Sequence, residues 1–150
     1  MNRAPPISGL LETALYVADM ARSVAFFRDV LGLSIMVEAP RLTAFNAGSG
    51  GVLLLFPQGG ATHDVSSEQG VVPGHDGRGP LHMAFAIEAG ALDPWRAQLV
   101  AAGVTLRGEM HWPRGGTSLY FEDPDGHVLE LATPGLWPND ADRPSVGERG

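Results

Sequence analysis

Three ionisable side chains of this sequence interrupt apolar, strand-like stretches: Glu12 in LETALYVAD, His82 in PLHMAFAI and Glu130 in GHVLELATP. In a strand every second side chain shares a face. Glu12 therefore stands with Ala14 and Tyr16, His82 with Ala84 and Ala86, and Glu130 with Val128 and Ala132. A carboxylate or imidazole turned toward a core is costly unless it is paired or binds a metal. Two carboxylates and one imidazole drawn from three strands make a donor set for a single divalent cation. Leu54 in GVLLLFP holds the corresponding point of a fourth strand and offers no donor. Each residue also has an ordinary reading: His82 as a hydrogen-bonded core histidine, Glu12 as a solvated carboxylate, and Glu130 as the partner of an arginine.

An ion held by three protein ligands keeps positions open for water or for two adjacent oxygens of a substrate, which is what Lewis-acid catalysis requires. Glu130 and Tyr16 are the candidate catalytic groups. The Tyr16 phenol, on the face of Glu12, could donate to a developing oxyanion or form a wall of the site. Ala14, Ala84 and Ala86 leave room for a ligand. In the HWPRGG turn, Arg114 is placed to clamp a carboxylate or phosphate, with His111 and Trp112 at the entrance, so Arg114 and Trp112 are the candidate substrate-binding residues. His127, beside the DPDG turn and facing away from Glu130, reads as structural. His63 and His75 fall in a polar connection and read as loop histidines. The AGSGG turn joins strands and opens no helix, so it lacks the geometry of a phosphate loop.

The elements that must position these residues come in two similar runs. The first has alternation over 10–17, a helix capped by Asp19 with Val24, Phe27 and Leu31 on one face and Gly32 as its stop, then strands over 33–37, 41–46 and 52–56. The second has a strand over 81–87, a helix capped by Asp93 with Pro94 in its first turn and Gly103 as its stop, then strands over 104–110, 117–121 and 127–132. Each run is βαβββ. Aligning them places Glu12 on His82, Gly32 on Gly103, Phe45 on Phe121, Gly50 on Gly126, Val52 on Val128 and Leu54 on Glu130. The modules cover about 10–57 and 80–134 of one α+β domain spanning 10–134. Residues 58–79 form a linker, or a lid over the site, and 135–150 a flexible tail that Trp137 could anchor.

The chain has 150 residues, enough for one packed domain. It has no cysteine, which removes disulfides, thiolate zinc sites and cysteine nucleophiles. All ten of its Lys and Arg residues are Arg, and the formal charge is −7. That balance argues against nonspecific nucleic-acid binding, and the absence of lysine excludes a P-loop and Schiff-base chemistry. The start, MNRAPPISG, lacks the pattern of a signal peptide, and no apolar run approaches the roughly 20 residues of a membrane span. A cytoplasmic protein with a small-molecule partner is expected.

The stretches LYVADMARSVAFFRDVLGL, GPLHMAFAI and SLYFEDPDGHVLEL resemble the vicinal oxygen chelate superfamily, which includes glyoxalase I, bleomycin-resistance proteins, fosfomycin-resistance thiol transferases and extradiol dioxygenases. The resemblance implies that two βαβββ modules form an open, cup-shaped mixed sheet with helices outside. It places one metal ion inside the cup on positions 12, 54, 82 and 130. It also implies a homodimer, without saying whether the cup closes within one chain or across two. With Leu54 at the fourth position, a glyoxalase I mechanism that uses a metal-bound carboxylate there is disfavoured. Two carboxylates and one imidazole suit Mn, Zn, Ni or Mg at least as well as Fe, and reverse the ligand ratio of the facial triad of oxygenases. The expected function is divalent-metal-dependent Lewis-acid chemistry of the glyoxalase and thiol-transferase type. An extradiol-type dioxygenase and a metal-free, bleomycin-resistance-like binding protein are the alternatives.

Overall fold

The computed structural model describes residues 3–144. Strand β1 (Glu12–Val17) leads into α1 (Met20–Ala25), which widens into a π-helical turn over Phe26–Val30. Strands β2 (Ser34–Ala39), β3 (Leu42–Gly48) and β4 (Gly51–Pro57) complete the first module. The connection carries a short hairpin, β5 (Val65–Ser67) and β6 (Gly70–Val72). The second module runs β7 (His82–Ala86), α2 (Leu92–Ala101), β8 (Gly108–His111), β9 (Thr117–Glu122) and β10 (Val128–Ala132). The fold is mixed α+β, as the periodicity implies. Its two four-stranded sheets have the orders β1-β4-β3-β2 and β7-β10-β9-β8, and they do not close into a barrel.

The repeat holds in register. β1 pairs parallel with β4, Glu12 beside Val52 and Ala14 beside Leu54. β7 pairs parallel with β10, His82 beside Val128 and Ala84 beside Glu130. Gly32 and Gly103, at φ of +70° and +72°, follow the helices in the left-handed region that glycine adopts without a Cβ clash. At α1 the Asp19 carboxylate accepts a hydrogen bond from the Arg22 amide at 3.0 Å, as an N-cap does.

The second helix starts earlier than its sequence implies. A 3₁₀ turn over Ala89–Ala91 precedes it, Ala91 is the cap, and Asp93 lies in the first turn paired with Arg96 at 2.6 Å. The strand expected over 104–110 forms only from Gly108, because Val104 and Leu106 pack on the core instead of alternating along a ladder.

Alternation divides each sheet into two faces. Leu15, Val17, Phe45, Leu53 and Leu55 from the first and Leu119, Phe121, Leu129 and Leu131 from the second join Val24, Phe27, Leu31 and Leu99 of the helical segments in one buried cluster. The modules are also tied by polar contacts. Asp125 in the β9–β10 turn accepts from the Ala18 amide at 3.0 Å and the Ser23 hydroxyl at 3.1 Å. The buried His127 ring accepts from the Leu81 amide at 2.9 Å and donates to the Tyr16 carbonyl at 3.0 Å, the structural role its position implies. Each sheet turns its second face away from the shared cluster, and the candidate site residues lie there. β1 and β7 are edge strands.

In the stretch 135–144, Asp140 accepts from the amides of Gly135, Leu136 and Trp137 at 2.8, 3.0 and 3.1 Å. These bonds, Gly135's first, hold its carboxyl below the usual 3.8. The remainder of the tail, 145–150, lies outside the described residues. No helix among the described residues is long and apolar enough to cross a membrane.

Candidate metal centre

Two of the three proposed donors meet on the second module. His82 starts β7 and Glu130 is at the middle of β10, and their parallel pairing brings His82 Nε2 to 3.3 Å from Glu130 Oε2. The His82 side chain is half exposed, whereas that of Glu130 is only 7% exposed. His82 Nδ1 lies 2.8 Å from the Val128 carbonyl oxygen, which can only accept, so Nδ1 carries a proton and Nε2 is the ring nitrogen turned to Glu130. A metal-ligating histidine is oriented in this way, one ring nitrogen on a carbonyl and the other on the ion. Donors about 2.1 Å from one cation and about 90–110° apart stand about 3.0–3.4 Å from each other, and the His82–Glu130 separation falls in that range.

Glu130 is held by β9, which runs antiparallel with Tyr120 opposite Glu130 and Ser118 opposite Ala132. The Ser118 hydroxyl donates to Glu130 Oε1, and the Tyr120 hydroxyl reaches the same oxygen at 3.2 Å. Burial raises the Tyr120 phenol above its ordinary 10.0, and the Glu130 carboxylate adds to the rise. The phenol therefore stays protonated at neutral pH and donates. Sequence reading passed over Ser118 and Tyr120. Their signal was the turn EDPDG: counting back through it from Glu130 lands on Tyr120, with Ser118 two residues earlier on the same face.

Glu12 is not brought to this pair. Among the described residues it stands exposed at the start of β1 with no side-chain partner, and no three His, Asp or Glu side chains converge on a common point. Beside it Ala14, Val52, Leu54 and Phe56 make an apolar face. Tyr16 lies on that face under the connection between the modules. Its hydroxyl is 2.6 Å from His75 Nδ1, its ring stacks on Phe56 with centroids 6.1 Å apart, and a Cβ on Gly77 would strike the ring. Burial, then the nearby Asp76 carboxylate, raises the Tyr16 phenol above 10.0. The Tyr16 hydroxyl is thus engaged with the connection.

The candidate substrate residues lie on the loop between β8 and β9. The Trp112 indole donates to Ser118 Oγ at 2.8 Å, while Arg114 is exposed and without a side-chain partner among the described residues. The loop is closed by the Trp112 amide on the Gly116 carbonyl at 2.8 Å and by the Gly115 amide on the Trp112 carbonyl at 2.9 Å. His111 is exposed, 3.4 Å from Glu109.

Comparison with known proteins agrees with this architecture. Residues 9–131 match the glyoxalase/bleomycin resistance protein/dioxygenase superfamily. The metallothiol transferase FosB of Staphylococcus epidermidis is 31% identical over 131 residues, 87% of this chain and 86% of that protein. The glutathione transferase FosA of Serratia marcescens is 30% identical over 128 residues, 83% of this chain and 80% of that protein. The crystal structure of lactoylglutathione lyase from Agrobacterium tumefaciens superposes with a TM-score of 0.81 at 31% identity, covering 89% of this chain and 99% of that one.

Proposed function

Given that the chain belongs to the glyoxalase/bleomycin resistance protein/dioxygenase superfamily, we propose that it is a divalent-metal-dependent enzyme of the glyoxalase and thiol-transferase type, with a small oxygen-chelating substrate. The observation that carries this reading is the His82–Glu130 pair: an imidazole with its Nδ1 proton committed to a carbonyl and its Nε2 3.3 Å from a buried carboxylate oxygen. His82 and Glu130 would hold the ion, one of Mn, Zn, Ni, Mg or Fe, and Glu12 would be the third ligand. When bound, such an ion supplies Lewis acidity to two adjacent substrate oxygens, favouring an isomerase, lyase or transferase reaction.

The third ligand comes from a second copy of the chain. Glu12 lies on the outward face of the first sheet and the His82–Glu130 pair on the outward face of the second, so a homodimer that lays one face on the other completes the donor set. Exposed apolar residues next to these faces support this arrangement: Ile7, Leu10 and Leu11 ahead of β1 are 89%, 86% and 68% exposed. Val65, Val71 and Val72 of the β5–β6 hairpin are exposed as well. Exposed apolar side chains of this kind suit an interface between copies.

Within that cup Ala14, Ala84 and Ala86 leave space, and Leu54, Val52 and Phe56 keep one wall apolar and exclude water from the chelated oxygens. Tyr16 forms a wall of the site, and its phenol, held on His75, is the candidate proton donor. Arg114 at the loop tip and the Trp112 ring beside it contact the substrate.

The test is metal analysis of protein purified without chelator, followed by Mn and Zn titration. About one ion per chain is expected, with His82→Ala and Glu12→Gln each weakening binding by more than the roughly 100-fold loss that an outer-shell change causes. Protein free of stoichiometric metal, whose stability EDTA leaves unchanged, would overturn the reading and leave a metal-free binding cup.

A further inference from the structure

The buried polar groups behind Glu130 form a chain that ends on the substrate loop. Glu130 is 5% exposed and Ser118 is fully buried, so each polar atom there must find a partner within the protein. Glu130 Oε1 takes two donors, Ser118 Oγ–H and the Tyr120 hydroxyl, which leaves Oε2 as the oxygen facing His82 Nε2. The Ser118 hydroxyl has one proton to give. Its oxygen accepts from the Trp112 indole at 2.8 Å, and an indole N–H can only donate, so the direction of the chain is fixed: Trp112 to Ser118 to Glu130. The loop that carries Trp112 is itself braced. Beyond its two internal bonds, the Gly116 amide reaches the Gly135 carbonyl at 3.3 Å, and a Cβ on Gly116 would strike Leu136, Gly135 and Pro134.

We propose that Trp112 and Ser118 are positioning residues: they fix Glu130 as a single-oxygen metal ligand and couple the 112–116 loop, with Arg114 at its tip, to the metal centre. The inference rests on the metal reading of His82 and Glu130. A carboxylate free to turn presents either oxygen, or both, to a cation; two donors on Oε1 remove that freedom. A hydroxyl that accepts from an indole gives its own proton more strongly, as expected for connected hydrogen bonds in a dry site. The Trp112 ring therefore acts through Ser118, in addition to any contact it makes with a substrate.

The experiment uses Ser118→Ala, Ser118→Thr and Trp112→Phe in the full chain, with circular dichroism to establish folding. Mn and Zn affinities are measured by competition titration, and the visible spectrum of the Co(II)-loaded protein reads the coordination number. Ser118→Ala is expected to bind metal about 10–100-fold more weakly and to change the Co(II) bands; Ser118→Thr, which keeps the hydroxyl, is expected to restore both. Trp112→Phe is expected to cost a smaller factor, and nothing further when added to Ser118→Ala, since the two act through one bond. Wild-type affinities and Co(II) spectra in Ser118→Ala and Trp112→Phe would overturn this inference while leaving the metal site in place. Wild-type protein that takes up no metal would overturn both.

Discussion

At the scale of single residues, the polar groups buried on the module boundary lend themselves to direct tests. His127 supplies the only side chain bonded to both the Leu81 amide and the Tyr16 carbonyl among the described residues, at 2% exposure. His127→Ala leaves both without their partner and opens a cavity, and a loss of about 2–4 kcal/mol in urea unfolding is expected. Asp123 behaves differently. Its Oδ1 accepts from the Asp125 and His127 amides at 3.0 and 2.8 Å, while Oδ2 is buried with no partner among the described residues. Burial raises its carboxyl above 3.8, so the folded state binds the proton more tightly than the unfolded chain does. The sign follows from linkage: this contribution is fully present below the ordinary carboxylate value and is lost as pH rises through the raised one. Asp123→Asn keeps an oxygen for the two amides and removes the titration. Its stability relative to wild type should therefore rise as pH climbs above the ordinary carboxylate value, measured as the difference in urea midpoints.

At the scale of elements, the two helix stops invite a paired experiment, because Gly32 and Gly103 occupy the same place in each module. Each has positive φ with no atom within 4 Å of an added Cβ, so the cost of alanine there is conformational and not steric. Gly32→Ala and Gly103→Ala should each destabilise by about 1 kcal/mol, with near-additive effects in the double variant. These ends were legible in the sequence because a left-handed residue after an amphipathic run is a local requirement. The start of α2 was not: Asp93 has the chemistry of a cap, but the 3₁₀ turn over Ala89–Ala91 begins the winding earlier and Asp93 pairs with Arg96 instead. The π-helical widening at Phe26–Val30 and the β5–β6 hairpin left no periodic trace, the first because a single wide turn barely moves the apolar stripe, the second because three-residue strands are too short to alternate. Of the three interruptions of apolar strands read in the sequence, two, His82 and Glu130, meet in the structure, while Glu12 stands apart from them. Ser118 and Tyr120, which hold Glu130, were not legible, because they become neighbours only through the pairing of β9 with β10.

At the scale of the whole molecule, the question is which surfaces of the chain face each other. One apolar cluster and the Asp125 and His127 contacts bind the modules together through one face of each sheet. In the shared-site arrangement proposed above, a second copy would cover the faces that carry Glu12 on one side and His82 with Glu130 on the other, and each dimer would hold two mixed sites. That arrangement predicts complementation. Glu12→Gln chains keep His82 and Glu130, and His82→Ala chains keep Glu12. A dimer of one of each therefore contains one intact donor set and one that lacks both contributions. Co-expressed with different affinity tags and purified through both, the mixed dimer should bind about one ion per pair of chains, against about two for wild type, while neither parent variant binds tightly. Closure within a single chain predicts that mixing restores nothing, so a mixed dimer as weak as its parents would exclude the shared site. A protein that sediments as a monomer at the concentration of the metal titration would exclude it as well.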